Sequence, residues 1–289
     1  YQGEWKEGLL DGLVTMFDHE TGKKAYAGYF TAGQKDGHGT QYFDDGQTWY
    51  KGEWKAGLPD GYGTVYPREP GSKAYGGHFK KGGHDGSGRE HFANGQMRYE
   101  GEWKEGLPDG HGSAHHSATG TKTYEGHFRK GRKDGNGTEY FDTGRIMYQG
   151  EWKEGLLDGL VTMFDHETGK KAYAGYFTAG QKDGHGTQYF DDGQTWYKGE
   201  WKAGLPDGYG TVYPREPGSK AYGGHFKKGG HDGSGREHFA NGQMRYEGEW
   251  KEGVLDGRGT LYHHCTGGKA YEGNFKTGQK DGNGTEYFD

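Results

Sequence analysis

The sequence predicts an all-β chain in which tandem hairpins join into one elongated, twisted, single-layer antiparallel sheet. Three observations predict it. First, the pattern Y-x-G-x-[W/F]-x-x-G-x-x-D-G begins at Tyr1, Tyr26, Tyr50, Tyr75, Tyr99, Tyr124, Tyr148, Tyr173, Tyr197, Tyr222, Tyr246 and Tyr271, at alternating intervals of 25 and 24 residues. A fixed period of that length marks an array of stacked, similar units. Second, the Tyr, Gly and Trp or Phe of each unit lie two residues apart, the side-chain period of a strand, and no helical periodicity occurs. Third, each unit carries glycines and turn-forming residues between two short β-prone runs.

Each element follows in order. Tyr50-x-Gly52-x-Trp54 reads as a first strand with three positions on one face. Rings on that face can lie over glycines of a neighbouring strand, where a missing side chain leaves room. Gly57-Leu58-Pro59-Asp60-Gly61 reads as the turn, with Pro setting φ, Asp capping and Gly permitting positive φ. Gly63-Thr64-Val65-Tyr66 reads as the second strand. Loops to the next hairpin are long and basic after odd units (His19 to Ala25) and shorter after even units (Asp44 to Trp49). The strand aromatic alternates with them, Trp in odd units and Phe in even ones, so the structural unit is a pair of hairpins spanning 49 residues. Stacked at roughly 4.8 Å per strand, the hairpins give a ribbon on the order of 115 Å long that must twist.

Composition bounds the class. Only 29% of residues are hydrophobic and 62 are Gly, a profile that ordinarily means disorder. Aromatics make up 16% and stand at fixed repeat positions, as do most glycines, so an ordered array is the better reading. The net charge of −6 has acidic and basic residues interleaved, which gives nucleic acid no basic face. No apolar run reaches the ~18 residues of a membrane helix, and no secretory leader is visible. The chain opens on the first residue of a repeat and stops partway through one, as a segment of a longer array would. The single cysteine, Cys265, excludes an internal disulfide framework.

The skeleton Tyr50, Gly52, Trp54, Gly57, Gly61, Gly63, repeated in every unit, resembles the MORN (membrane occupation and recognition nexus) repeat. Val14 and Val161 depart from it, standing where the other ten units carry the last Gly, and predict a displaced or tighter hairpin. The units are also one or two residues longer than is usual for the family, which places the extra length in the loops. The resemblance implies an elongated, curved single sheet and a use in binding membranes or partner proteins.

Residues 1–106 recur unchanged at 148–253, and 148–289 as a whole nearly copies 1–142. We read residues 1–289 as one continuous array of twelve hairpins. A one-off active site has no reason to appear twice, and no nucleophile–base pair, phosphate loop or metal-ligand spacing is present, so no enzyme activity, cofactor or metal is expected. The Gly-x-Gly matches belong to the hairpin repeat.

Several columns of side chains recur. Asp11, Asp36, Asp60, Asp85, Asp109 and Asp134, with their copies, offer one carboxylate per ~10 Å, too sparse for calcium, and read as turn caps. His115-His116 and His263-His264-Cys265 read as exposed loops. Asn136-Gly137-Thr138 and Asn283-Gly284-Thr285 match the glycosylation sequon but sit at turn-to-strand junctions. Lys24, Lys73, Lys122, Lys171, Lys220 and Lys269 form a basic column that an anionic lipid surface could read, against a simpler reading as a solvated row. Trp5, Phe30, Trp54, Phe79, Trp103 and Phe128, with Trp152, Phe177, Trp201, Phe226, Trp250 and Phe275, either line a groove for an amphipathic partner helix or are the sheet's own core.

The leading functional expectation is a non-enzymatic structural scaffold that forms or supports a filament by end-to-end or lateral self-association. Its motivation is an unbroken, homogenised array without separate chemistry. The alternative is a binding module that tethers an anionic membrane or holds a partner helix in its aromatic groove.

Overall fold

The computed structural model describes residues 1–68, 74–215 and 221–288, and these form strands, turns and loops without helix. Lys73 and Lys220 of the basic column lie outside the described residues. The chain divides into two compact units, Tyr1–Arg145 and Ile146–Asp289.

In the first unit the strands are β1 (Gln2–Lys6), β2 (Leu9–Phe17), β3 (Lys24–Thr31), β4 (Gln34–Tyr42), β5 (Thr48–Lys55) and β6 (Leu58–Val65). They continue as β7 (Ala74–Lys80), β8 (Gly83–His91), β9 (Met97–Lys104), β10 (Leu107–His115), β11 (Lys122–Arg129) and β12 (Arg132–Tyr140). Each pairs antiparallel with the next. The second unit repeats the plan from β13 (Ile146–Lys153) and β14 (Leu156–Phe164) to β23 (Lys269–Lys276) and β24 (Gln279–Glu286). Its strands also pair with their neighbours in sequence.

The hairpin turn is shorter than the sequence suggested, and it lies earlier. Lys55 pairs with Leu58, so the loop is Ala56-Gly57 alone, with φ of 48° and 84°. Two positive φ values in a two-residue loop define the type I′ turn, whose twist matches that of the flanking strands. A non-glycine residue in this left-handed region recurs at all twelve turns, from Glu7 to Thr277. Leu58, Pro59, Asp60 and Gly61, expected in the turn, open β6 instead. The pair Trp54↔Pro59 is followed by Gly52↔Gly63, so β6 advances four residues while β5 advances two. Gly61, with φ +105°, takes up that excess as a bulge. The bulge tolerates Pro59 and aims Asp60 away from its own turn.

Aromatic rings over glycines form the core, as the strand period predicts. A Cβ on Gly63 would lie 2.1 Å from the Tyr50 hydroxyl, and one on Gly52 would lie 2.4 Å from the Gly63 Cα. Only a glycine pair lets the two backbones and the ring share that space. The Tyr50 hydroxyl then donates to the Glu53 carbonyl at 3.0 Å, pinning the ring along its own strand. The same i to i+3 bond is made by Tyr26, Tyr75, Tyr99 and Tyr124 in the first unit.

Where Val replaces Gly the ring yields. Val161 is 1% exposed and fills the space, Tyr148 is only half-buried, and its ring sits 6.4 Å from Trp152. Equivalent Tyr–Trp pairs stand 5.0–5.3 Å apart. The hairpin at Val161 keeps the register of the others, Gly150 opposite Val161 as Gly52 is opposite Gly63, so the valine displaces the ring and not the strands.

Candidate binding surface

Tyr, Trp and Phe interlock edge-to-face along each unit. Tyr50 meets Trp54 at 5.1 Å and Phe79 at 5.2 Å; Tyr75 meets Phe79 at 5.2 Å and Trp103 at 5.3 Å; Tyr99 meets Trp103 at 5.0 Å and Phe128 at 5.2 Å. Every ring is thus wedged between its own hairpin and the next, a geometry worth about 0.5–1.5 kcal/mol per pair beyond burial. Three Trp indoles are anchored as well: Nε1 of Trp54, Trp103 and Trp201 donates to Gly39, Gly88 and Gly186 carbonyls.

The residue before each column Asp closes this face. Lys35 places Nζ 4.7 Å over Tyr26 and 4.6 Å over Trp54, and donates to Gln41 at 2.5 Å. His84 stacks on Tyr75 at 3.6 Å. Pro59, opposite Trp54, is the apolar version. Across from each Tyr stands a matching residue: Gln41 with Lys35, Glu139 with Lys133, Val65 with Pro59 and Glu90 with His84. Burial pushes the Tyr26 phenol up to about 12, helped by the Asp36 charge, and pushes the Lys35 ammonium and the His84 imidazole down.

The candidate groove residues therefore sit beneath their own lids. Phe30, Trp54, Phe79, Trp103, Trp152, Phe177, Trp201, Phe226, Trp250 and Phe275 are buried, and Phe128 is half-buried. Trp5 alone of the row is exposed. Their packing is that of a core, and the open concavity lies on the opposite face.

That face carries a channel across the strands of the first unit. Its floor is made of small side chains on alternate positions, Thr15, Ala27, Thr40 and Thr64, with Lys51 among them. Leu13, His38, Glu53 and Tyr62 line one side, with Tyr29 beside it as the cross-strand partner of Leu13; Tyr66 lines the other, and Phe17 and Tyr42 hold the equivalent positions, four residues along their strands. Leu13, Tyr29, Tyr62, Phe17 and Tyr66 are all exposed large apolar groups. The concavity measures about 640 Å³. The second unit presents its counterpart of about 570 Å³, lined by Leu160, Ala174, His185, Thr187, Tyr209 and Tyr213. Sequence reading missed this surface because period-2 alternation marks two faces without saying which one its own residues will cover. The exposed Tyr29 and Tyr62, out of phase with the repeat aromatics, were the available signal.

The remaining columns resolve as follows. Asp11, Asp36, Asp60 and Asp109 cap a turn, but the next hairpin's: Asp60 accepts the Lys81 N–H at 3.1 Å and Asp109 the Lys130 N–H at 3.0 Å. Lys122 and Lys269 pair with Glu125 and Glu272, both at 2.7 Å, whereas Lys24 and Lys171 are exposed. Hydrogen bonding to Glu125 holds the Lys122 ammonium above its usual range. Asn136 and Asn283 are exposed but lie within β12 and β24, past the turn-to-strand junction. His116 Nδ1 accepts the Ala118 N–H at 3.4 Å within its own loop, and His264 packs on Phe239. Among the described residues no group of three His, Cys, Asp or Glu is placed to hold a metal ion.

The MORN repeat family model matches ten stretches: residues 1–13, 26–48, 50–66, 99–115, 124–144, 148–160, 173–195, 197–213, 246–263 and 271–289. The hairpins beginning at Tyr75 and Tyr222, which carry the His84 and His231 lids, fall between the matches. No curated protein matches the chain.

Proposed function

Because this chain belongs to the MORN-repeat family, whose all-β repeats are non-catalytic and bind proteins or membranes, we propose that it is a scaffold holding protein segments in the channel of each unit. The observation that carries this reading is the division of labour between faces. The aromatic face is closed by its own lids, while the opposite face leaves Leu13, Tyr29 and Tyr62 exposed around a floor of small side chains. A stack of hairpins has no internal need for exposed apolar ridges, and such patches mark interaction sites. Because residues 1–106 recur unchanged at 148–253, the channel is presented twice, and we treat the twelve hairpins as one array.

Site-specific photo-crosslinking in cells tests this. A photoreactive residue at Tyr29 or Tyr62 is expected to capture a discrete partner band, and one at His19 in the loop is not. Equal capture from all three positions, or none from the channel, overturns the reading.

Self-association into a filament is the second reading, supported by the uniformity with which, within each unit, a hairpin's turn is tied to the hairpin before it. Negative-stain imaging across a concentration series, with anionic liposomes in parallel, separates the two. Fibres with a regular axial repeat favour the filament; discrete particles that coat liposomes favour a membrane tether; discrete particles that ignore them leave the protein-binding scaffold.

A further inference from the structure

We propose that His111 and His127 form a binding site for a late first-row divalent ion such as Zn²⁺ or Cu²⁺, on the face of the first unit that also carries the channel. His111 of β10 and His127 of β11 are direct cross-strand partners, and both are exposed. They hold the repeat positions that Tyr62 and Tyr29 hold in earlier hairpins. Their rings stand edge-to-face with centroids 5.5 Å apart. Two imidazoles that bind one ion at about 2.0–2.1 Å per nitrogen hold their centroids roughly 5 Å apart, so a small rotation of exposed side chains closes the site. Imidazole favours the later first-row ions, whereas Ca²⁺ and Mg²⁺ take oxygen ligands.

The surroundings of His127 already orient it for this role. Its Nδ1 lies 3.3 Å from the Asn136 carbonyl oxygen. A carbonyl only accepts, so Nδ1 carries the proton in this bond, and in the neutral ring Nε2 presents its lone pair outward. A ring N–H donated to a backbone carbonyl is the arrangement that fixes the tautomer of metal-bound histidines. Among the described residues no group of three is placed to hold an ion, so the pair supplies two of the four ligands Zn²⁺ ordinarily takes. Water, or a side chain of whatever docks on this face, completes the shell.

Packing alone does not call for two histidines here. The matching cross-strand pairs earlier in the unit are Leu13–Tyr29 and Tyr62–His78, the second edge-to-face at 5.6 Å. In the second unit the positions of His111 and His127 are taken by Arg258 and Asn274, which pair in the same register. The backbone thus accepts apolar, mixed and polar pairs, and among the described pairs of this row His111–His127 is the one that joins two imidazoles. Arginine has no lone pair to offer an ion, so the second unit is a built-in control.

Hydrogen exchange of the full chain, read by mass spectrometry with Zn²⁺ or Ca²⁺ added, tests the site. Zn²⁺ is expected to slow exchange in β10 and β11 by about tenfold or more, because an ion bridging two strands must leave before they part. It should leave β22 (Val254–Tyr262) and β23 unchanged. Ca²⁺ should protect neither pair. The substitutions His111→Arg and His127→Asn install residues that the second unit already carries at these positions, and unchanged exchange without metal verifies that the hairpin folds. Either one alone should abolish the protection, whereas His116→Ala in the adjoining loop should keep it. In titration calorimetry the double variant should bind one Zn²⁺ fewer per chain. Protection that survives either substitution, that appears equally in β22 and β23, or that Ca²⁺ gives as well, overturns the site, as does no protection at all.

Discussion

The Asp109 carboxylate accepts a 3.0 Å hydrogen bond from the backbone N–H of Lys130, the left-handed residue at the tip of the following turn. The neighbouring Gly131 N–H donates to the Pro108 carbonyl at 2.8 Å, so both amides of the turn are held by the preceding hairpin. The same double tie joins Asp60 and Pro59 to Lys81 and Gly82. It is what makes a row of separate hairpins cohere along its turn edge.

Removing one tie weakens one junction. Asp109→Ala is expected to cost about 1 kcal/mol in urea unfolding, the net value of one such bond, and to speed hydrogen exchange at the Lys130 amide. Protection at Lys130 that does not change would mean the carboxylate is dispensable there.

Glycine beneath a ring is a steric requirement. A Cβ at Gly39 would lie 2.0 Å from the Tyr26 hydroxyl, so Gly39→Ala must push the ring out. The expected loss is about 1–3 kcal/mol, as for overpacked cores, with Tyr26 becoming half-buried as Tyr148 already is. Gly8→Ala meets no atom in space but has φ +80°, so its cost should be purely conformational, near 1 kcal/mol.

Lids of one charge should respond differently. Lys35 faces the neutral Gln41, so Lys35→Met should be neutral or stabilising by up to about 1 kcal/mol, since it removes a half-buried cation. Lys133 pairs with Glu139, and Lys133→Met should destabilise by about 1–2 kcal/mol because the carboxylate keeps its desolvation without its partner. Equal effects of the two substitutions would show that ring contact, not charge pairing, sets the value of the lid.

Acid should loosen the two His-lidded hairpins first. Burial holds the imidazoles of His84 and His231 below their usual value, so the folded state binds protons less readily than the unfolded chain. Stability from these groups is complete above the unfolded value near 6.5 and is lost as pH falls below it. The difference in urea stability between pH 7.5 and 5.5 should shrink in a His84→Phe, His231→Phe double variant; an unchanged slope would assign the acid sensitivity elsewhere.

Alkali acts through the buried tyrosines with the opposite sign. The phenols of Tyr26, Tyr173 and Tyr246 are pushed up to about 12, chiefly by burial, so the folded state keeps its protons longer. Their contribution is present below pH ~10 and is lost as pH rises toward 12. Ultraviolet titration should show these tyrosines ionising together with unfolding, and not before it.

By itself the sequence determined the hairpin period, the strand polarity and the stacking of rings on glycines, because each is a local consequence of spacing. Tyr50, Gly52 and Trp54 share a face through strand alternation alone, and Val161 announced the displaced ring of Tyr148. The tertiary structure decided what depends on contacts between hairpins. Whether Asp60 caps its own turn or the next one turns on a bulge at Gly61 that no local rule specifies. Whether the aromatic rows form a groove or a core depended on Lys35, Pro59 and His84 folding over them. Those residues lie on the partner strand, and only the register of that strand brings them above the rings.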